Sequence, residues 1–148
     1  MKKILTLAAL ALMVLGSANA QENNVIGKQN IKLQSRLMTP EALWAMGRIG
    51  TYEASPDGKQ IVYQVGYYSV KQNKNRQILY VTDSDGTNQR QLSASGGSAA
   101  GKSETDPTWL DKETIAFLTG GEIWSMKADG SNRQQLSKTD GQVEGFLF

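Results

Sequence analysis

Ile78-Leu79-Tyr80-Val81-Thr82-Asp83-Ser84-Asp85-Gly86-Thr87-Asn88-Gln89-Arg90-Gln91-Leu92-Ser93 returns, 44 positions later, as Glu122-Ile123-Trp124-Ser125-Met126-Lys127-Ala128-Asp129-Gly130-Ser131-Asn132-Arg133-Gln134-Gln135-Leu136-Ser137. The two copies share an apolar strand, an Asp-Gly turn (Asp85-Gly86, Asp129-Gly130) and a closing Gln-Leu-Ser. Self-similarity at a period of about 40–50 residues marks an array of small units. Each unit is too thin to bury its own hydrophobic faces and must stack on a neighbour. This repeat decides the architecture.

Upstream of each copy the match continues at a different spacing. Ser55-Pro56-Asp57-Gly58-Lys59 is a turn, with Pro preset for its second position and Gly tolerant of positive φ. Ile61-Val62-Tyr63-Gln64-Val65 follows as a strand whose β-branched and aromatic residues occupy both faces, which predicts burial on both sides. Pro107-Thr108-Trp109-Leu110-Asp111 stands where Glu53-Ala54-Ser55-Pro56-Asp57 stood, and Ile115 and Phe117 match Ile61 and Tyr63 at an offset of 54. The first unit therefore carries ten extra residues within 67–76. That places Lys71-Gln72-Asn73-Lys74-Asn75-Arg76 at the solvated tip of a longer hairpin, a basic run that could also meet an anionic partner. The remaining strands of the first unit are expected near residues 51–54, 77–82 and 89–92.

The N-terminus reads differently. Lys2 and Lys3 precede an apolar run from residue 4 to 15, and Ala18-Asn19-Ala20 gives the small-x-small cleavage pattern ahead of Gln21. These are the parts of a secretory signal peptide, too short to span a bilayer, and they predict export to the periplasm. The chain has no cysteine, so no lipid-modified cysteine, disulfide or thiolate metal site can form within it. Of 16 Lys and Arg and 14 Asp and Glu, Lys2 and Lys3 fall in the leader, so the remaining chain is formally neutral. Neutrality gives no electrostatic case for nucleic acid. The chain also has no histidine, which rules out a Ser-His-Asp relay and imidazole metal ligation inside it. Residues 21–34 form a polar lead-in, with Val25, Ile26, Ile31 and Leu33 scattered in it. Thr39-Pro40-Glu41 then signals a helix start that should run through Ala45 and stop near Gly47. Its stripe of Leu43, Trp44 and Met46 serves either to dock another domain or to cap the first unit's edge.

Two motifs invite a ligand and fail on context. Gly96 to Gly101-Lys102-Ser103 has the spacing of a phosphate-binding loop, but Glu104-Thr105-Asp106-Pro107 opens a turn and strand where that loop needs a helix. The segment reads as a flexible linker instead. Asp83-Ser84-Asp85-Gly86-Thr87-Asn88 clusters oxygen ligands as calcium loops do, but Gly comes one ligand too early and the later Glu is missing. No catalytic residue, cofactor or metal is assigned.

Units of about 45 residues with four strands each fit the blades of a β-propeller. Ser-Pro-Asp-Gly-Lys before an apolar strand, followed by Ala-Asp-Gly-Ser-Asn and Gln-Leu-Ser, resembles the short propeller repeats of the periplasmic TolB proteins and of the prolyl oligopeptidase family of serine peptidases. The opening from Met38-Thr39-Pro40-Glu41-Ala42-Leu43 through Arg48-Ile49-Gly50 is similar to that of secreted dipeptidyl-peptidase and acylaminoacyl-peptidase members. The resemblance implies an all-β chain: leader 1–20, lead-in and helix 21–50, blade 1 and linker 51–106, blade 2 107–140, and the first strand of a third blade from 141 to 148. It implies a non-catalytic piece of a secreted exopeptidase whose later blades and α/β-hydrolase domain act on peptide substrates. A TolB-like protein-binding module is the alternative. Two blades do not close a ring of typically 4–8, so faces including Trp124 and Met126 are expected to lie open, and the chain alone is expected to associate or unfold.

Overall fold

The computed structural model describes residues 25–30, 36–94 and 101–147. The leader with Ala18, Ala20 and Gln21, lead-in residues Ile31 and Leu33, and linker residues 95–100 lie outside the described residues. The elements in order are α1 (Pro40–Ala45), β1 (Arg48–Ala54), β2 (Gln60–Ser69), β3 (Lys74–Asp83), β4 (Arg90–Gln91), β5 (Thr105–Trp109), β6 (Thr114–Thr119), β7 (Glu122–Lys127) and β8 (Gln134–Gln135). They build two four-stranded antiparallel meanders, β1-β2-β3-β4 and β5-β6-β7-β8. The chain is all-β, with a single described helix, and its two sheets are two blades of an incomplete propeller.

Each repeated residue type has a repeated backbone task. The Asp-Gly turns close with Gly86 N–H donating to Asp83 O (2.9 Å) and Gly130 N–H to Lys127 O (2.8 Å). Gly86 and Gly130 sit at φ 84° and 87°, which an L side chain rarely adopts, and Asn88 and Asn132 both follow at φ 52°. The Gln-Leu-Ser ending is a strand terminator. Leu92 and Leu136 N–H each donate to the central strand, at Leu79 O and Ile123 O, both at 2.8 Å. The serine hydroxyls then accept from the same residues' amides, Leu79 N–H (2.8 Å) and Ile123 N–H (2.9 Å). Backbone groups that a two-residue β4 or β8 leaves unpaired are thus satisfied by one hydroxyl.

The ten extra residues of blade 1 lengthen its central hairpin. In blade 2, Thr119 pairs with Glu122 across Gly120-Gly121, whereas in blade 1 four further rungs, Gly66↔Gln77 to Ser69↔Lys74, lead to the tip at residues 70–73. Arg76, expected at the solvated tip, pairs instead with Tyr67 below it and is only 2% exposed. The start of each unit also shifts by one residue from the sequence alignment. Ala54 pairs with Ile61 and Trp109 with Ile115, so Trp109 takes the rung of Ala54 rather than of Ser55. β1 begins at Arg48, ahead of the strand expected near residues 51–54. Residues 141–147, expected to open a third blade, form no ladder, and Val143 N–H donates to Gly121 O at 2.9 Å.

Helix α1 forms for the expected reasons: Thr39 Oγ1 accepts from Ala42 N–H (3.2 Å) and Pro40 occupies the first turn. Only Ala42 is buried, and Leu43, Trp44 and Met46 stay exposed. Trp44 meets Tyr68 edge to face at 5.7 Å, and the Arg48 guanidinium lies over both rings. The helix thus leans on the long hairpin of blade 1.

The core lies between the blades. Val62, Leu79, Val81 and Leu92 from blade 1 meet Trp109, Ile115, Phe117, Met126 and Ala128 from blade 2. Alternation along β2 and β3 sends Tyr63, Val65, Tyr67, Ile78 and Tyr80 to the opposite face, where Ile26 of the lead-in packs against them. This corrects one expectation. Met126 is fully buried and Trp124 packs on the same cluster, because this side of β7 faces blade 1 rather than solvent. Phe117, with no exposed surface, sits at the centre of the seam. Phe117→Ala should cost about 3–5 kcal/mol, measured by urea unfolding of the chain.

Candidate functional site

A buried polar constellation lies along the seam between the blades. Glu104, 1% exposed, follows the linker and precedes β5. Its carboxylate accepts from Ser93 Oγ (2.6 Å) and forms an ion pair with Arg133. Arg133 lies over the Phe117 ring at 4.9 Å and donates to Leu92 O at 3.5 Å. A buried carboxylate needs such partners, since an unpaired one costs several kcal/mol. Arg133 thereby joins the turn of blade 2 to the end of blade 1.

Arg76 works on the other side of the same linker. Its guanidinium donates to Lys102 O (3.0 Å), Ala94 O (2.8 Å) and Ile26 O (3.3 Å). Burial pulls this group below the ordinary arginine value, and the charge of Glu104 opposes that shift. The planar fork suits several carbonyls at once, which an ammonium could not match. Arg76 therefore ties together the lead-in and both ends of the linker. Further contacts cross the seam from blade 1: Arg90 donates twice to Ala128 O, and Trp109 Nε1 donates to Glu53 O at 3.2 Å. Tyr63 and Tyr80 stack at 5.6 Å on the far face of blade 1, and burial raises both phenols above the ordinary tyrosine value.

The turn residues singled out in the sequence are not brought together as a site. Asp57 Oδ1 accepts from Ser55 Oγ (2.7 Å) and Lys59 N–H (3.2 Å), and Gly58 closes that turn onto Ser55 O. Asp85 accepts from the Thr87 amide and hydroxyl, and Asp129 from the Ser131 amide. These bonds, led by the Ser55, Thr87 and Ser131 side chains respectively, hold the three carboxyls below the usual carboxylate value. Their oxygens serve the turns. Asp83 accepts from Asn88 Nδ2 (2.7 Å), which uses another oxygen of the calcium-like cluster. Among the described residues no group of three or more Asp and Glu is placed to hold a metal ion. In the phosphate-loop-like segment, Ser103 Oγ accepts from Gln77 N–H (3.1 Å), and strand β5, not a helix, follows. No described helix is long and apolar enough to cross a membrane.

The chain is 37% identical over 120 residues to Dipeptidyl-peptidase 5 of Porphyromonas endodontalis, a match covering 78% of this chain and 17% of that protein. Dipeptidyl-peptidase 5 of Porphyromonas gingivalis is 37% identical over 116 residues, covering 75% of this chain and 16% of its own length. The chain is distantly homologous to these peptidases. It spans about a sixth of their length. No family model matches it.

Sequence reading missed Glu104, Arg133 and Arg76. One signal was present: Arg133 stands at the repeat position of Gln89, so a charge enters one copy alone, and Glu104 is the only acid between Asp85 and Asp106. Removing one partner leaves the other as an uncompensated charge. Glu104→Leu should destabilise the chain by about 3 kcal/mol, the low end for a buried pair because Arg133 keeps 24% of its side-chain surface in water. Glu104→Leu combined with Arg133→Met should recover most of that loss in a double-mutant cycle read by urea unfolding.

Proposed function

We propose that this chain supplies the non-catalytic N-terminal propeller portion of a secreted serine exopeptidase. The observation that carries the reading is the 37% identity over 120 residues to Dipeptidyl-peptidase 5, which coincides with a two-bladed all-β structure. In this reading residues 1–20 direct export to the periplasm and are cleaved ahead of Gln21. The blades then help screen a separate α/β-hydrolase domain, so that peptides reach it. With no histidine, the chain cannot itself form a Ser-His-Asp relay, and the chemistry belongs to that other domain.

A chimera tests this. The region of the Porphyromonas endodontalis protein that this chain matches would be replaced by this chain, and the chimera exported and assayed for release of dipeptides. The chimera should retain dipeptidyl release, while this chain alone should release none, and the exported product should begin at Gln21. A chimera that folds and is secreted but is inactive would contradict the proposal, as would hydrolysis by the chain alone.

A further inference from the structure

The chain contains four Asp-Gly steps, Asp57-Gly58, Asp85-Gly86, Asp129-Gly130 and Asp140-Gly141. Such a step is open to rearrangement through its own backbone, because glycine has no side chain to shield its nitrogen from the preceding carboxyl group. The fold treats the four differently. In the first three both reacting groups are held. Gly58, Gly86 and Gly130 N–H donate to Ser55 O, Asp83 O and Lys127 O at 2.8, 2.9 and 2.8 Å, with the glycines at φ 69°, 84° and 87°. Each carboxylate is occupied as well: Asp57 accepts from Ser55 Oγ and Lys59 N–H, Asp85 from the Thr87 amide and hydroxyl, and Asp129 from the Ser131 amide. These bonds, led by the Ser55, Thr87 and Ser131 side chains, hold the three carboxyls below the usual carboxylate value. An ionised carboxylate cannot release an oxygen as water.

Asp140-Gly141 lies in a different setting. Both residues are exposed, and Gly141 is outside the positive-φ region. Among the described residues, none accepts from Gly141 N–H and none bonds to or pairs with the Asp140 carboxylate. A side-chain carbon at Gly141 would meet nothing within 4 Å. Blade 2 itself sets the place of this step: Thr139 N–H donates to Glu122 Oε1 (2.9 Å) before it and Val143 N–H to Gly121 O (2.9 Å) after it. The link is also short. Ser93 and Ser137 end equivalent strands, and the bond from Glu104 N–H to Gln77 O matches that from Val143 N–H to Gly121 O. Between these points the first unit uses residues 93 to 104 and the second only 137 to 143.

We propose that Asp140 is a site of isoaspartate formation, the one Asp-Gly step that the fold leaves reactive. The Gly141 nitrogen attacks Cγ of the neutral Asp140 carboxyl group, an N–C bond forms, and the hydroxyl leaves as water with the amide proton. Water then opens the five-membered imide. Breaking the bond from nitrogen to the Asp140 main-chain carbonyl carbon leaves the backbone running through Cγ, whereas breaking the bond to Cγ restores aspartate. One water is released and one consumed, so the mass is unchanged and no oxidant or cofactor takes part. The product lengthens the short link by one backbone carbon, which draws Val143 off Gly121. The inference rests on the turn geometry and is independent of the peptidase reading.

Ageing the chain in mildly acidic buffer, with its fold checked by circular dichroism, tests this through tryptic mapping with electron-transfer fragmentation. The four steps fall in separate peptides, 49–59, 77–90, 128–133 and 139–148. Isoaspartate should accumulate in 139–148 at least about tenfold faster than in the other three, each of which must first give up two or more hydrogen bonds. In urea the four rates should converge, since the folded turns alone separate them. Gly141→Ala should slow the reaction and Asp140→Glu abolish it, because the ring would then need a sixth member. Hydrogen exchange at the Val143 amide should rise in the aged fraction alone. Equal rates in all four peptides of the folded chain, a turn peptide that reacts first, or a difference that persists in urea would each overturn the proposal.

Discussion

A four-stranded sheet with apolar residues on both faces has no interior until a second sheet lies against it. Strand β2 shows the constraint most plainly, since Val62 and Tyr63 are neighbours in sequence, point to opposite sides and are both buried. Hydrogen bonding within the blade cannot relieve this, because the meander already pairs its central strands on both edges. Only stacking removes the exposed area, at about 25 cal/mol per Å² of apolar surface. Everything else in the molecule is arranged around that contact. The short β4 and β8 end on serines, and the linker returns the chain to start β5 against the face that β2 and β3 present.

The buried charges belong to the same requirement. The linker must pass from the outer edge of one blade to the first strand of the next, and its ends carry carbonyls away from water. Arg76 accepts that task by donating to Ala94 O and Lys102 O, and its third bond secures Ile26 of the lead-in. Glu104 and Arg133 fix where β5 begins relative to the preceding blade. Such a pair adds little net stability over an apolar replacement, but it penalises any register in which one charge is buried alone. Its contribution is therefore to the angle and order of the blades more than to their cohesion.

The sequence carried the fold in its repeat: the offset of 44 between Asp85 and Asp129, and that of 54 between Ile61 and Ile115, translate directly into matched strands and a longer hairpin in blade 1. The N-cap of α1 was equally legible, because Thr39-Pro40-Glu41 acts locally. What sequence reasoning lost depends on contacts between units. Arg76 reads as one more basic residue in a polar run, and only the four added rungs bring it down beside the linker. Trp124 and Met126 read as open because strand alternation says which residues share a face but not which face meets the neighbour. The Trp109 rung differs by one residue because the turn before β6 is one shorter than that before β2, a change hidden by aligning the two aspartates.

If stacking is what makes each blade stable, the two blades must open together. Native-state hydrogen exchange reads this directly at the amides of Val62 and Leu79 in blade 1 and of Phe117 and Met126 in blade 2. The account predicts one shared opening free energy for all four and a parallel fall in protection as urea is added. Exchange of the blade 2 amides through a low-energy opening, while blade 1 stays protected, would show that the blades stand independently and would contradict it.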